Sequence, residues 1–235
     1  DVGVVGEEKK CQQTLVYHDA LFRIQRDWEA SQRPPLLSLS AADRAAISAC
    51  LAQWQIPRDT WYVCLHVREP GYPIHLTTDS TFPSTRDAHI ADYSLAIEAI
   101  VQAGGWVFRM GDPSMTPLPP MMHVVDYAHS PFRSEEVDIL LTAGCRFVVG
   151  TASGYLGFPM IYHRPCLVTN VATIGWPLWP TKDLMLPKLF REKATGRYLT
   201  LTQIFEQGLA CLHYKQDVPS HLELVDNTPQ DLQEG

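Results

Sequence analysis

No run of about 18 apolar residues occurs in this 235-residue chain, so no segment is expected to cross a membrane as a helix. Positive charge is not in excess either. The formal net charge is −7, which excludes a global electrostatic footprint for nucleic acid and leaves any anion to a local site. None of the six cysteines (Cys11, Cys50, Cys64, Cys145, Cys166 and Cys211) belongs to a C-x-x-C pair, which speaks against a zinc ribbon or a dithiol motif. Cys64 and Cys145 lie in apolar stretches, and all six read as reduced thiols of a cytoplasmic protein. The nine histidines are dispersed. Neither H-E-x-x-H nor D-x-D occurs, so no metal site is expected. Two phosphate-binding fingerprints, a Walker loop ending in G-K-[ST] and G-x-G-x-x-G, are also missing. The opening DVGVVGEEKK has no signal-peptide shape and starts abruptly on an apolar segment, as expected of a fragment of a longer protein.

What the chain does have is material for a core: 46% hydrophobic residues against 19% charged. Residues 1–35 give no clear pattern. Ser40 with Asp43 forms a capping box, and Ile47, Cys50, Leu51 and Trp54 follow at helical spacing until Pro57. Trp61 to Val67 reads as a buried strand. Ser84 with Asp87 suggests a second capping box, before a helical face of Ile90, Tyr93, Ile97, Ile100 and Val101 that Gly104-Gly105 ends. Further strands are expected at Trp106–Met110, His123–Tyr127, Arg146–Gly150 and Cys166–Thr169. Helices are expected at 134–144, 153–163 and 202–212. This alternation is the order of an open parallel α/β sheet with flanking helices.

Such sheets bind ligands beyond the carboxyl ends of their strands, and the chemically able residues of this chain fall there. Gly150-Thr151-Ala152-Ser153-Gly154 joins a strand to a helix start. Unpaired amides there attract an anion, small residues let it approach, and Thr151 and Ser153 add hydroxyls. The alternative is that Ser153 simply caps its own helix. Arg68 follows the first strand, and its guanidinium suits phosphate, unless it only pairs with a nearby carboxylate. His66 alternates with Arg68 toward the same side. Glu69 and Asp112 are the strand-end carboxylates able to act as a base, though Glu-Pro-Gly and Gly-Asp-Pro are also ordinary turn chemistry. Asp79 is a weaker choice. Arg109, Asp126 and His129 are placed to line the same crevice, Lys188 and Arg191 add positive charge, and Trp176 and Trp179 are available to stack on a ring.

Several long motifs carry a resemblance. HVREPGYP (66–73), RMGDPSMTPLPP (109–120), VVDYAHS (124–130), CRFVVGTASG (145–154), DLMLPKL (183–189) and VDNTP (225–229) resemble a family of bacterial glycosyltransferases of surface-polysaccharide gene clusters. The resemblance covers about residues 35–230 and is similar, more distantly, to fucosyltransferases, in which an H-x-R stretch and a small-residue turn contact the nucleotide diphosphate. Glu69-Pro70 departs from that pattern, because a second arginine is common there. The resemblance implies the donor-binding half of a GT-B-like architecture: residues 59–235 as a Rossmann-like domain and 1–58 as a linker and remnant of an acceptor domain. It implies a metal-independent, inverting transfer from a nucleotide-sugar donor to a glycan or lipid-linked acceptor. No cofactor or nucleic acid is involved, and peripheral membrane association is left open. Glu69 or Asp112 would be the base, and His66, Arg68, Arg109, His129, Thr151, Ser153, Gly154 and Lys188 would bind the nucleotide sugar. A nucleotide-sugar epimerase on the same fold and a non-catalytic binding module are the alternatives.

Overall fold

The computed structural model describes residues 2–5, 12–15, 17–70, 84–175, 183–212 and 214–235. Cys11, Asp79, Trp176 and Trp179 lie outside the described residues. Near the N-terminus, β1 (Val2–Val5) pairs antiparallel with β2 (Gln12–Leu15), and α1 (Tyr17–Ala30) follows. Then α2 (Ala41–Gln53) starts at the expected capping box: Ser40 Oγ accepts from the Asp43 amide at 3.1 Å, and Asp43 returns the bond to the Ser40 amide at 2.7 Å. The first strand of the main sheet is β3 (Tyr62–His66).

The second expected capping box does not open a helix. Asp87 gives one carboxylate oxygen to Arg68, and the helix begins later, where a 3₁₀ turn at Ile90–Tyr93 leads into α3 (Ser94–Gln102). Gly104, at φ 85°, ends that helix. After β4 (Trp106–Arg109) and β5 (Val124–Val125), Ser134 caps α4 (Glu135–Gly144), and β6 (Phe147–Thr151) follows. The helix expected over 153–163 is only a 3₁₀ turn at Gly154–Leu156 and α5 (Gly157–Ile161). Two glycines weaken it, and Pro165 biases the preceding chain away from the helical conformation. The chain continues through β7 (Cys166–Val171), β8 (Leu184–Pro187), β9 (Leu189–Glu192), α6 (Leu201–Glu206), β10 (Leu222–Val225) and α7 (Pro229–Glu234). The expected last helix stops six residues short, at the left-handed Gly208. No helix among the described residues is long and apolar enough to cross a membrane.

Six strands form one parallel sheet in the order β5-β4-β3-β6-β7-β8. Counted within the sheet this is 3-2-1-4-5-6, the Rossmann order. Alternate residues of β3 face opposite layers, and both layers are apolar, so the strand reads as an unbroken hydrophobic run. Tyr62 and Cys64 join a cluster with Ile47 and Leu51 of α2, Leu141 of α4 and Val148 of β6. Val63, Leu65 and Val67 pack with Ile97 of α3 and Leu232 of α7. A third, smaller cluster joins Phe190, Ile204 and Leu222 under the antiparallel pair of β9 and β10. Helix α2 precedes residue 58, yet its apolar face belongs to the core of the sheet. Trp54, just beyond it, meets Phe108, Tyr127 and Phe132 edge-on at 5.3, 6.0 and 5.6 Å.

Asp183, next to β8, accepts from the Cys166 amide at 2.8 Å, while its other oxygen is buried without a hydrogen-bond partner. Burial pushes this carboxyl up to about 7, against the lowering effect of the Cys166 hydrogen bond. The folded-state value lies above the ordinary 3.8, so the folded protein keeps a proton that the unfolded chain releases, and stability is lost as pH rises from about 4 to 7. Asp183→Asn keeps an acceptor and removes the charge. Wild type and variant should melt alike near pH 4, and the variant should be more stable above pH 7 by on the order of 2–4 kcal/mol. Identical thermal unfolding at both pH values would refute this.

Candidate functional site

The sheet grows from β3 through β4 to β5, then the chain returns and grows the other way from β6. At this reversal β3 and β6 are neighbours, and a crevice opens beyond their carboxyl ends. Gly150 makes their close pairing feasible. It lies opposite His66, and a Cβ at position 150 would stand 2.5 Å from the His66 carbonyl oxygen. One residue on, Thr151 Oγ1 accepts from the Arg68 amide at 2.8 Å, tying the two strand ends together.

Beyond this tie lies a cavity of about 590 Å³. His66 and Arg68 border it from the end of β3, Met110, Gly111, Asp112 and Met115 from beyond β4, and Ser153, Gly154, Tyr155 and Phe158 from beyond β6. Arg133, Glu135, Asp138 and Ile139 complete the wall around the start of α4. Arg68 donates from Nε to Asp87 Oδ1 at 2.9 Å, and its side chain is 18% exposed. Its terminal nitrogens have no partner among the described residues. Arg133 Nε donates to the Gly111 carbonyl at 3.0 Å. The His66 ring stacks on Tyr155, with centroids 4.7 Å apart and planes 14° apart, and Ser153 Oγ lies 3.3 Å from its Nδ1. Burial, with the charges of Arg109 and Arg68, pulls the His66 pKa down to about 4. At neutral pH this ring is therefore an uncharged hydrogen-bonding group. Ser153 is extended and makes no side-chain cap bond, so its hydroxyl serves the cavity rather than the following turn. No space beyond Gly154 Cα is occupied within 4 Å of where a Cβ would be.

The two strand-end carboxylates part company. Asp112 borders the cavity, accepting from the Ser114 amide at 2.9 Å, and that hydrogen bond holds its carboxyl below the usual range. Glu69 points inward. Its Oε2 accepts from Arg109 at 2.7 Å and from the Thr116 amide at 2.9 Å, so it is committed to the protein's own groups.

Four other expected ligand contacts likewise lie outside the cavity lining. Arg109 is wholly buried between Glu69 and Asp126. His129 bonds Asp126 at 2.9 Å and the Pro113 carbonyl at 3.1 Å, and so fastens the loop after β4. Thr151 spends its hydroxyl on the Arg68 amide. Lys188 is wholly buried and reaches Asp226 and the Asp87 carbonyl. Arg191, on β9, pairs with Glu223 at 2.6 Å. Conversely, Arg133, Glu135, Asp138, Tyr155 and Phe158 escaped the sequence reading. Tyr155 lies four residues beyond β6, within reach of the strand-end signal, whereas Arg133, Glu135 and Asp138 lie 8 to 13 residues beyond β5, where that signal does not extend. Among them, burial raises the Asp138 carboxyl above its ordinary value.

Two outcomes are expected. The His66 ring, followed by NMR through a pH titration, should change ionisation at about 4 rather than near 6.5. The unfolded chain takes up this proton first, so the stability associated with His66 is present above pH 6.5 and lost toward pH 4. A midpoint near 6.5 would show the ring to be solvated. Glu69→Ala should strand the buried Arg109 guanidinium and lower the unfolding free energy by about 3 kcal/mol in chemical denaturation. An unchanged midpoint would contradict the internal role of Glu69.

No protein-family model matches the chain, and no curated protein matches it. Among solved structures it is similar to E. coli ADP-heptose LPS heptosyltransferase II, with a TM-score of 0.45 and 11% identity over 84% of this chain and 51% of that one. It is also similar to the dodecameric iron-containing heptosyltransferase TibC in complex with ADP-D-β-D-heptose, with a TM-score of 0.40 and 12% identity over 74% of this chain and 41% of that one. The chain thus spans about half the length of the first and less of the second.

Proposed function

We propose that the chain is the nucleotide-sugar-binding half of a glycosyltransferase that moves a sugar to a glycan or lipid-linked acceptor in surface-polysaccharide synthesis. The observation that carries this is the convergence of Arg68 with Ser153 and Gly154 on one cavity at the reversal of the sheet. A guanidinium fork, a hydroxyl and an unobstructed glycine backbone suit a diphosphate, and the uncharged His66 adds a hydrogen bond. The motif resemblance supports the same assignment. In this reading the fixed guanidinium groups of Arg68 and Arg133 stabilise charge on the departing diphosphate. The acceptor hydroxyl attacks the anomeric carbon from the opposite face while a carboxylate takes its proton. Asp112 is assigned that role because it borders the cavity, whereas Glu69 is engaged inside the protein.

One observation favours a second reading, a non-catalytic nucleotide-sugar-binding module: the Ser114 amide keeps the Asp112 carboxyl low, which makes it a weak base. Titration calorimetry with UDP-, GDP-, CMP- and dTDP-sugars tests the shared claim. At least one should bind, and Arg68→Ala should weaken it by about 10–100-fold in a protein that still unfolds cooperatively. If none binds the folded protein, both readings fall. Asp112→Asn separates them, since it should abolish transfer by the full-length gene product without weakening donor binding. Full transfer by that variant would remove Asp112 from the mechanism.

A further inference from the structure

Lys188 is among the largest side chains sealed from solvent, yet it is a cation. Its Nζ lies 2.7 Å from Asp226 Oδ1 and donates to the main-chain carbonyl of Asp87 at 2.8 Å. Burying an ammonium is tolerated only when it is paired and hydrogen-bonded, so these two contacts hold the side chain in one place. Asp226 is itself held by its neighbour. The Asn227 amide donates to Asn170 Oδ1 at 2.8 Å, the Asn170 amide donates to Asn227 Oδ1 at 2.7 Å, and Asn227 Nδ2 donates to the Pro187 carbonyl at 2.9 Å. On the other side, the Asp87 carboxylate accepts from Arg68 Nε, and the Ala88 amide donates to the Arg68 carbonyl at 2.9 Å. A continuous chain of contacts therefore runs from the VDNTP segment through Lys188 and Asp87 to Arg68 at the cavity.

We propose that Lys188 is a positioning residue for the anion grip: anchored by Asp226, it fixes the main chain at Asp87 so that the Asp87 carboxylate aims the Arg68 guanidinium into the cavity. Lysine suits the task because a compact ammonium donates to a carbonyl and a carboxylate at once. Methionine of similar length would leave both unpaired. The side chain that touches the ligand is Arg68, and Lys188 acts on it through Asp87. The binding arm of the test below rests on the diphosphate reading of the cavity. The spectroscopic arm does not.

Inorganic pyrophosphate, which has the charge of a nucleotide without base or sugar, is the probe. Lys188→Met should weaken its binding about tenfold, and Asp87→Asn, which leaves the Lys188 carbonyl contact in place, should do the same. In an Arg68→Ala background Lys188→Met should add less than about twofold, because the group it positions is gone. Full additivity in the double variant would overturn the proposal. The second readout is the ¹⁵N-resolved Nε–H signal of Arg68, assigned by its loss in Arg68→Ala. It should be protected from exchange in the wild type and broadened or lost in Lys188→Met. An unchanged signal overturns the positioning role whatever the protein binds. A lost signal in a protein that binds no pyrophosphate supports positioning and removes the diphosphate reading instead. Should Lys188→Met fail to fold, Asp226→Asn, which leaves the lysine in place beside a neutral partner, is expected to move both readouts in the same direction, and no movement in either would count against the proposal.

Discussion

The hydrogen bond from the Arg68 amide to the Thr151 hydroxyl is the constraint on which the cavity depends. It joins the ends of β3 and β6 where the two halves of the sheet meet, beyond the last regular ladder pair, His66 with Gly150. Backbone donors and acceptors leaving a parallel sheet must find partners, and hydroxyls supply both along this edge. Thr169 Oγ1 donates to the Gly150 carbonyl at 3.2 Å, and Tyr93 shares a 2.6 Å hydroxyl pair with Thr169. The floor of the crevice is thus internally satisfied. The groups left over at its surface are the side chains of Arg68 and Ser153 and the backbone at Gly154, and those are what a ligand would meet.

The same economy explains the connection from β4 to β5, which has no helix. Glu69 accepts from the Thr116 amide, Asp126 accepts from the Leu118 amide at 3.0 Å, and His129 reaches the Pro113 carbonyl. Two carboxylates and an imidazole do for this proline-rich loop what intrahelical hydrogen bonds would do for a helix, and Arg109 balances their charge from within. Asp112 therefore rests on a braced loop. This is why residues that look catalytic in the sequence sit behind the cavity rather than in it.

How much of this was legible follows from which interactions are local. Five strands and the parallel α/β class follow from apolar runs and spacing, and the Ser40–Asp43 box begins a helix because nothing distant competes for Asp43. The same letters at Ser84 and Asp87 make only half a box: Asp87 accepts from the Ser84 amide at 3.3 Å, but the Ser84 hydroxyl accepts from the Arg86 amide, and the other Asp87 oxygen accepts from Arg68, nineteen residues earlier. The sixth strand, LMLP, is short and surrounded by irregular sequence, and only its pairing with β7 reveals it. The site was half legible. Placement after a strand brought out both Glu69 and Asp112, but it does not say which way a side chain points. For Glu69 the two-residue period did hold that information: His66 and Arg68 border the cavity, so Val67 and Glu69 turn inward. The α4 residues Glu135 and Asp138 came to the wall through the tertiary packing of a helix, which no strand-end rule covers.

The paired amides of Asn170 and Asn227 have a consequence for synthesis on the ribosome. Every strand of the main sheet precedes residue 188, so the sheet can assemble before the segment carrying Asp226 and Asn227 has left the exit tunnel. The Asn170 amide then has no Asn227 to receive it, and Lys188 has no carboxylate to neutralise it. A nascent chain at that stage carries a formed Rossmann sheet with an unfinished crevice, and the emergence of the VDNTP segment is the step that completes the polar edge.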